Sequence, residues 1–315
     1  MAHAGCTEAE FIQLYESIGP DAMVRKGISN RRNIQGRRSR IEDRIGRRLI
    51  SPTMKQRGAE PSQSDARISI TIQNGTILVG SDAHYWPGII TTAHRAFVHF
   101  ARELKPKVIV KNGDVMDFPS ISRHTPIGWE HRPQVVNEIE AAQERLAEIV
   151  EACPKADRFW TAGNHDLRFE SRLATIAPEY ARVNGIHLKD HFPLWRPCWS
   201  LFVNNDVVIK HRFKSGIHAP HNNTMWAGRT IVTGHLHSLK VMPLSDLNGT
   251  RWGVDCGTMA EPYGPQFEDY TEDNPRSHRS GFIVLNFEDG VLRWPEIVHV
   301  VGDGVVDFRG RTWNV

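Results

Sequence analysis

The stretch Val108-Ile109-Val110-Lys111-Asn112-Gly113-Asp114-Val115-Met116-Asp117 decides how the rest of the chain is read. Three β-branched residues in a row predict a buried strand, and the Gly-Asp that follows predicts a turn carrying a carboxylate at the strand's end. The arrangement recurs four times. Ile77-Leu78-Val79 leads to Asp82-Ala83-His84, and Phe159-Trp160 leads to Gly163-Asn164-His165-Asp166. Val207–Ile209 leads to His211, and Ile231-Val232 leads to Gly234-His235-Leu236-His237. Between these runs lie helical patterns. Ile90, Ala93, Phe97, Phe100 and Leu104 share one face, and Pro133 opens a second helix bearing Val135, Ile139, Ala142, Leu146 and Ile149. Further strands are expected at 251–255 and 282–287. Strands alternating with helices define an α/β domain, richer in strand toward its C-terminus. Open α/β sheets gather ligands beyond the carboxyl ends of their strands, where all five segments fall.

Upstream, Ile68, Ile70 and Ile72 alternate with polar residues, and Asn74-Gly75 predicts a tight hairpin into the strand at 77–79. Residues 51–66 are polar, with Pro52, Gly58, Pro61 and three serines, and read as a linker. Residues 1–50 read as a small all-helical domain. Thr7 and Glu10 form a Thr-x-x-Glu capping box, Phe11, Leu14, Tyr15 and Ile18 share a face, and Gly19-Pro20 ends that helix. A short piece from Asp21 to Lys26, a Gly27 turn and Ser29 as N-cap precede a last helix. It turns Ile34, Ile41, Ile45 and Leu49 toward a core and its arginines outward. This succession resembles a helix-turn-helix DNA-binding module, although Gly36 is a poor residue within a helix and a solvated basic arm is the plainer reading. The expected organisation is therefore a helical domain over 1–50, a linker over 51–66 and a catalytic-type α/β domain over 67–315.

The bulk composition narrows the classes. At 315 residues, 40% apolar and 24% charged, the chain suits one large core with a small appended domain. It holds no apolar run of about 18 residues, which argues against a membrane span. Its first residues do not read as a secretory signal. Cys6, Cys153, Cys198 and Cys256 are scattered without a Cys-x-x-Cys pair, which points to free thiols in a reducing cytoplasm. The net charge of +3 hides an asymmetry. Residues 25–48 hold ten of the 39 basic side chains and two of the 36 acidic ones, a local +8 that leaves −5 for the remainder. A local basic patch fits a polyanionic partner.

Any one of the five segments alone would be an ordinary turn, surface pair or core histidine. In this order they resemble the calcineurin-like metallophosphoesterase superfamily, Gly-Asn-His-Asp type, over roughly residues 68–300. The resemblance implies a four-layer α/β/β/α sandwich and two divalent metals bridged by Asp114. It implies Asp82, His84 and His237 around the first metal, and Asn164, His211 and His235 around the second. It implies His165 as the proton donor to the leaving group and Asp166 as the residue that orients it. Asp117 matches a supporting position behind the ligands. Mixed carboxylate, imidazole and amide donors suit Mn first, with Fe, Zn or Ni as alternatives, better than Ca or Mg. Two such ions about 3.5–4 Å apart polarise phosphoryl oxygens and make hydroxide from a bridging water.

The chain departs from the family at the fourth segment, where His is commonly followed by Gly and here by Arg212. Arg212 either crowds the site or holds a substrate phosphate. His218 and His221 compete with His211 as ligand, but only His211 directly follows a strand. His94, His99, His187 and His191 read as structural. Arg123 and His124 are marginal pocket candidates. Trp195 and Trp199 read as core rather than as a stacking surface for bases. The functional expectation is a phosphodiesterase acting on nucleic acid, with DNA held by Arg31, Arg32, Arg37, Arg38 and Arg40. Helix-turn-helix and catalytic domain together look like bacteriophage-encoded proteins, which would act in the host cytoplasm. Two alternatives stand beside it. One is a phosphodiesterase or phosphatase for a small nucleotide or phosphomonoester with a DNA-tethering arm, the other a non-catalytic DNA-binding protein. The sequence leaves oligomer formation open.

Overall fold

A computed structural model describes residues 6–45, 49, 51, 65–272 and 274–315. The chain divides into two compact units, Met1–Gln63 and Ser64–Val315, a division that falls within the predicted linker. Most of that linker, together with Arg47 and Arg48, lies outside the described residues.

In the first unit, α1 spans Glu8–Arg25 and α2 spans Arg31–Ile45. The capping box is present: Glu10 accepts from the Thr7 amide at 2.6 Å, and Thr7 Oγ1 accepts from the Glu10 amide at 3.3 Å. The span labelled α1 is two helical pieces that break at Gly19, whose φ of 79° and ψ of 167° are non-helical, just before Pro20, as expected. Asn30, not Ser29, caps α2, its Oδ1 accepting from the Asn33 amide at 2.9 Å. Phe11, Tyr15, Met23, Ile34, Ile41 and Leu49 form the small core. Ile45 was expected there but is 37% exposed. Two of the arginines expected to face DNA turn inward instead. Arg37 lies over the Phe11 ring at 4.8 Å and donates to the Cys6 carbonyl at 2.6 Å, while Arg38 pairs with Glu42 at 2.8 Å. Arg31, Arg32 and Arg40 stay exposed, Arg31 beside Asp21 at 3.1 Å.

The second unit contains β1 (Asp65–Ile70), β2 (Gly75–Gly80), β3 (Val108–Lys111), β4 (Asp157–Thr161), β5 (Arg196–Val203), β6 (Val207–Ile209) and β7 (Thr230–Thr233). The later strands are β8 (Lys240–Asp246), β9 (Gly249–Asp255), β10 (Gly281–Glu288), β11 (Val291–Leu292), β12 (Glu296–Gly302), β13 (Val305–Phe308) and β14 (Arg311–Asn314). The hydrogen-bonded order is β14-β13-β12-β10-β2-β3-β4-β5-β6-β7-β9-β8, with β1 beside β5 and β11 beside β10. β2, β3 and β4 run parallel, as do β6, β7 and β9. β5 joins the two groups, pairing with β4 through Arg196–Cys198 and with β6 through Leu201–Val203.

Strand alternation makes this continuous path into two layers. Ile77, Val79, Val108 and Val110 point to one side, where they pack with Ile209, Val232 and Val254 from the other half of the path. Leu78 and Ile109 point to the opposite side, into a core shared with α3 (Thr92–Leu104) and α4 (Val135–Ala152). A helix α5 (Asp166–Ile176) follows β4, and α6 (Ala219–Ala227) packs on β7, β8 and β9. The result is the expected α/β/β/α stack. Two local expectations fail. Ile90 precedes α3 and is exposed, because Thr91 caps the helix after it. Asn74-Gly75 closes no hairpin: β1 pairs in parallel with β5, and Asn74 Oδ1 instead accepts from the Asp289 amide at 2.9 Å.

The outer core rests on aromatic contacts, with Phe97 and Phe282, both fully buried, meeting edge to face at 5.0 Å. Phe282→Ala is expected to cost about 3–5 kcal/mol in denaturant unfolding. A loss below about 1 kcal/mol would contradict this packing.

Candidate functional site

The five segments meet at the carboxyl ends of β2, β3, β4, β6 and β7, because parallel neighbours end side by side. Asp82, His84 and His237 place ligand atoms within 4.8 Å of one another, and so do Asp114, His211 and His235. His211 Nε2 lies 3.0 Å from Asp114 Oδ2 and 4.0 Å from Asp82 Oδ1, so the two groups share a boundary. Asn164 borders the same pocket as Asp114, His165 and His235. Of the competitors, His218 is exposed and His221 half-buried, and neither joins a ligand group. His211 is the histidine at the site.

Backbone geometry aims these side chains. Asp82, His84, Asp114, His235 and His237 all have left-handed φ, between 40° and 74°. Such positions cost on the order of 1 kcal/mol or more each for residues with a Cβ and persist only where surroundings enforce them. The enforcement is a set of bonds between loops. The Asp82 amide donates to the Gly113 carbonyl at 3.0 Å and the His84 amide to the Asp114 carbonyl at 3.1 Å. The His165 amide donates to Asp114 Oδ1 at 2.8 Å, and the His235 amide to Asp82 Oδ2 at 2.9 Å. Loops this close leave no room for side chains at two glycines. A Cβ at Gly163 would overlap Asp114, and one at Gly234 would overlap Ser81 and Asp82.

The donors fit a pair of divalent ions. His84 Nε2 and Asn164 Oδ1 are buried and have no hydrogen-bond partner, and His211 Nε2 meets only carboxylate oxygens. Buried polar atoms in folded proteins are nearly always satisfied, so orphaned atoms at one site mark ligand positions. Their other atoms are fixed: His84 Nδ1 lies 3.1 Å from Asp117 Oδ1, and His211 Nδ1 lies 2.8 Å from the Asn112 carbonyl. These contacts set the ring orientations. Burial pushes the Asp82 carboxyl up, but His211 and His237 outweigh it and hold it at about 2. Asp114 is likewise held well below the usual carboxylate range against burial, by His211 and His165.

Asp117 keeps its expected place behind the ligand His84 and also takes the role expected of Asp166. Asp166 does not reach the His165 ring. Its Oδ1 accepts from the Val115 amide at 2.9 Å and the Met116 amide at 3.3 Å, and its Oδ2 from Trp160 Nε1 at 2.9 Å and the Gly163 amide at 3.1 Å. It locks the second segment to the third. The ring is held by Asp117, whose Oδ1 lies 2.5 Å from His165 Nδ1. His165 Nε2 then lies 3.9 Å from Asp114 Oδ2. Burial disfavours a charged His165, yet Asp114 and Asp117 prevail and raise its pKa above the ordinary value.

Arg168 went unnoticed in the sequence. It donates to the Asp117 carbonyl at 2.8 Å and sits 3.5 Å from His165 Nε2. Its signal was spacing, since it stands three residues after His165 at the start of α5, one helical turn on. Arg212 is exposed and borders a cavity next to His211 and His235. His124 lines the pocket over the ligands, and Arg123 does not. Trp195 is core as expected, but Trp199 is 45% exposed and borders the cavity beside Arg212. Cys6, Cys153, Cys198 and Cys256 form no disulfide with one another. Among the described residues no helix is long and apolar enough to cross a membrane.

The sequence pattern of the calcineurin-like phosphoesterases matches residues 75–241. The "Gene 54 protein" of Mycobacterium phage L5 is 25% identical over 240 residues, which cover 70% of this chain and 92% of the phage protein. Among solved structures, Vps29 complexed with Zn from Entamoeba histolytica aligns at 12% identity and a TM-score of 0.41, over 76% of this chain and 98% of its own. An archaeal phosphodiesterase aligns at 14% identity and a TM-score of 0.35, over 70% of this chain and 99% of its own.

Asp166→Asn replaces one acceptor oxygen with a donor facing buried N–H groups. It is expected to cost about 1–3 kcal/mol in the unfolding of metal-free protein. Unchanged stability with an altered pH–rate profile would instead assign Asp166 to His165.

Proposed function

The chain belongs to the calcineurin-like phosphoesterase family, whose members are metal-dependent hydrolases of phosphate esters, and from that premise we propose that it cleaves phosphodiester bonds in nucleic acid, DNA in particular. The observation that carries the reading is two adjoining ligand groups, Asp82-His84-His237 and Asp114-His211-His235, with the His165 imidazole poised beside Asp114. Asp82, His84 and His237 would hold one divalent ion, and Asn164, His211 and His235 the other, with Asp114 between. Mn suits these donors best, with Fe, Zn or Ni as alternatives. Bound there, the ions would supply a nucleophile from water and withdraw charge from the phosphoryl oxygens.

The remaining work falls to protein side chains. His165, protonated at Nε2, gives its proton to the leaving oxygen as the ester bond breaks. Asp117 accepts from Nδ1 and fixes the ring so that the other nitrogen is presented. Arg168, beside Nε2, offers a fork suited to a phosphate oxygen and adds positive field where charge develops. Asp166 acts at one remove by keeping the Asp114 and Asn164 loops in register.

The choice of DNA is supported by the +8 carried on residues 25–48. Likeness to a phage protein and four cysteines that form no disulfide fit action in a host cytoplasm.

His165→Ala should lower kcat by about 10²- to 10⁴-fold while metal content by mass spectrometry stays at the wild-type value. Asp114→Ala should lose metal. Full turnover in either variant would refute these roles. For the arm, Arg31→Ala/Arg32→Ala/Arg40→Ala should weaken duplex DNA binding and reduce the slope of log affinity against log salt by up to about three. An unchanged slope would remove DNA contact from the helical unit.

A further inference from the structure

A second cavity, of about 380 Å³, adjoins the pocket that holds His165, and His235 lines both. His211, which groups with Asp114 and His235, also borders it. The cavity has two kinds of wall besides. Lys210, Arg212 and Lys214 bring three cations to it, and none of its lining residues is a carboxylate. Among the described residues, none of these three cations pairs with an acidic side chain. Trp199 and Phe213 add two aromatic rings that are 45% and 44% exposed.

The side chains are supported individually. Lys214 Nζ lies 3.8 Å from the centre of the Trp226 ring on α6, and the Lys214 amide donates to the fully buried Asn223 at 3.0 Å. Lys210 Nζ lies 5.4 Å from the centre of the Phe213 ring. Trp199 extends from the outer face of β5, which explains why apolar character alone misplaced it in the core. Three cations without a counter-charge call for an anion. Exposed rings between them call for a flat π-system. A phosphate and a base joined by a sugar meet both needs, and an unpaired base has a free face to stack, which a base within a duplex lacks.

We infer that this cavity is a subsite for the nucleotide flanking the scissile phosphodiester in a single strand, with Lys210, Arg212 and Lys214 on its phosphate and Trp199 or Phe213 against its base. The inference rests on the nucleic-acid reading of the same centre and adds strand preference to it. Arg212, where the family commonly has Gly, becomes a substrate contact rather than an obstruction.

The test uses full-length protein with Mn, and the variants Trp199→Ala, Trp199→Phe and Lys214→Ala. Each is given a labelled oligothymidylate, the oligouridylate of equal length, a duplex of equal length and bis(4-nitrophenyl) phosphate, which has neither base nor second phosphate. The ratio of kcat/KM for the single strand to that for the small diester is expected to fall roughly tenfold or more in Trp199→Ala, through KM, and to recover in Trp199→Phe. Fluorescence anisotropy of the oligothymidylate with metal-free protein should weaken in parallel. In Lys214→Ala its salt slope should fall by roughly one. Comparison of the two oligonucleotides tells DNA from RNA. Oligonucleotide cleavage and binding at wild-type ratios in both alanine variants would overturn the subsite, as would faster cleavage of the duplex. Hydrolysis of the small diester with no oligonucleotide cut by the wild type would overturn the nucleic-acid reading itself.

Discussion

Two carboxylates, Asp82 and Asp114, are buried at the ends of adjacent parallel strands, and much of the second unit answers the cost of keeping them there. An ionised carboxylate without partners in such a place is disfavoured by several kcal/mol or more. Each is met by a backbone amide from a loop distant in sequence, His235 for Asp82 and His165 for Asp114, and by imidazoles from His211 and His237. The imidazoles among these partners, in their neutral form, are also groups that can coordinate a cation. Positive φ at five ligand positions and close approach at Gly163 and Gly234 follow from the same demand, since loops separated by a single side chain's width cannot all adopt relaxed backbone.

The sheet exists in the form this demand requires. β2, β3 and β4 end together on one layer, and β6 and β7 end together on the other, with β5 turning the path between them. Ligands from both layers reach the same point because the layers pack face to face over the core of Ile77, Val79, Val110, Ile209 and Val232. Activity and stability are therefore linked through Asp166, which serves no reacting atom yet ties four N–H groups from the β3 and β4 ends.

What the sequence made legible follows from what is local. An apolar run followed by Asp-x-His or Gly-Asn-His-Asp is contained in ten residues, so the ligand segments and their strands could be read directly. Relations across the sheet could not. β1 pairs with β5 some 130 residues away, and nothing near Asn74-Gly75 encodes that. Asp117 and Asp166 are both carboxylates beside motif residues, and only the folded loops decide that the first meets the His165 ring while the second meets amides. In α2 a basic pattern identified a charged helix but not that Arg37 and Arg38 would be drawn to Phe11 and Glu42. Trp199 was misread because a strand's two faces look alike when one of them borders a cavity.

If Asp114 stands between two metal positions rather than beside one, metal-free protein titrated with Mn gives an electron paramagnetic resonance spectrum of magnetically coupled ions that grows in up to two equivalents per chain and is absent in Asp114→Asn. A spectrum of isolated ions saturating at one equivalent would contradict that placement.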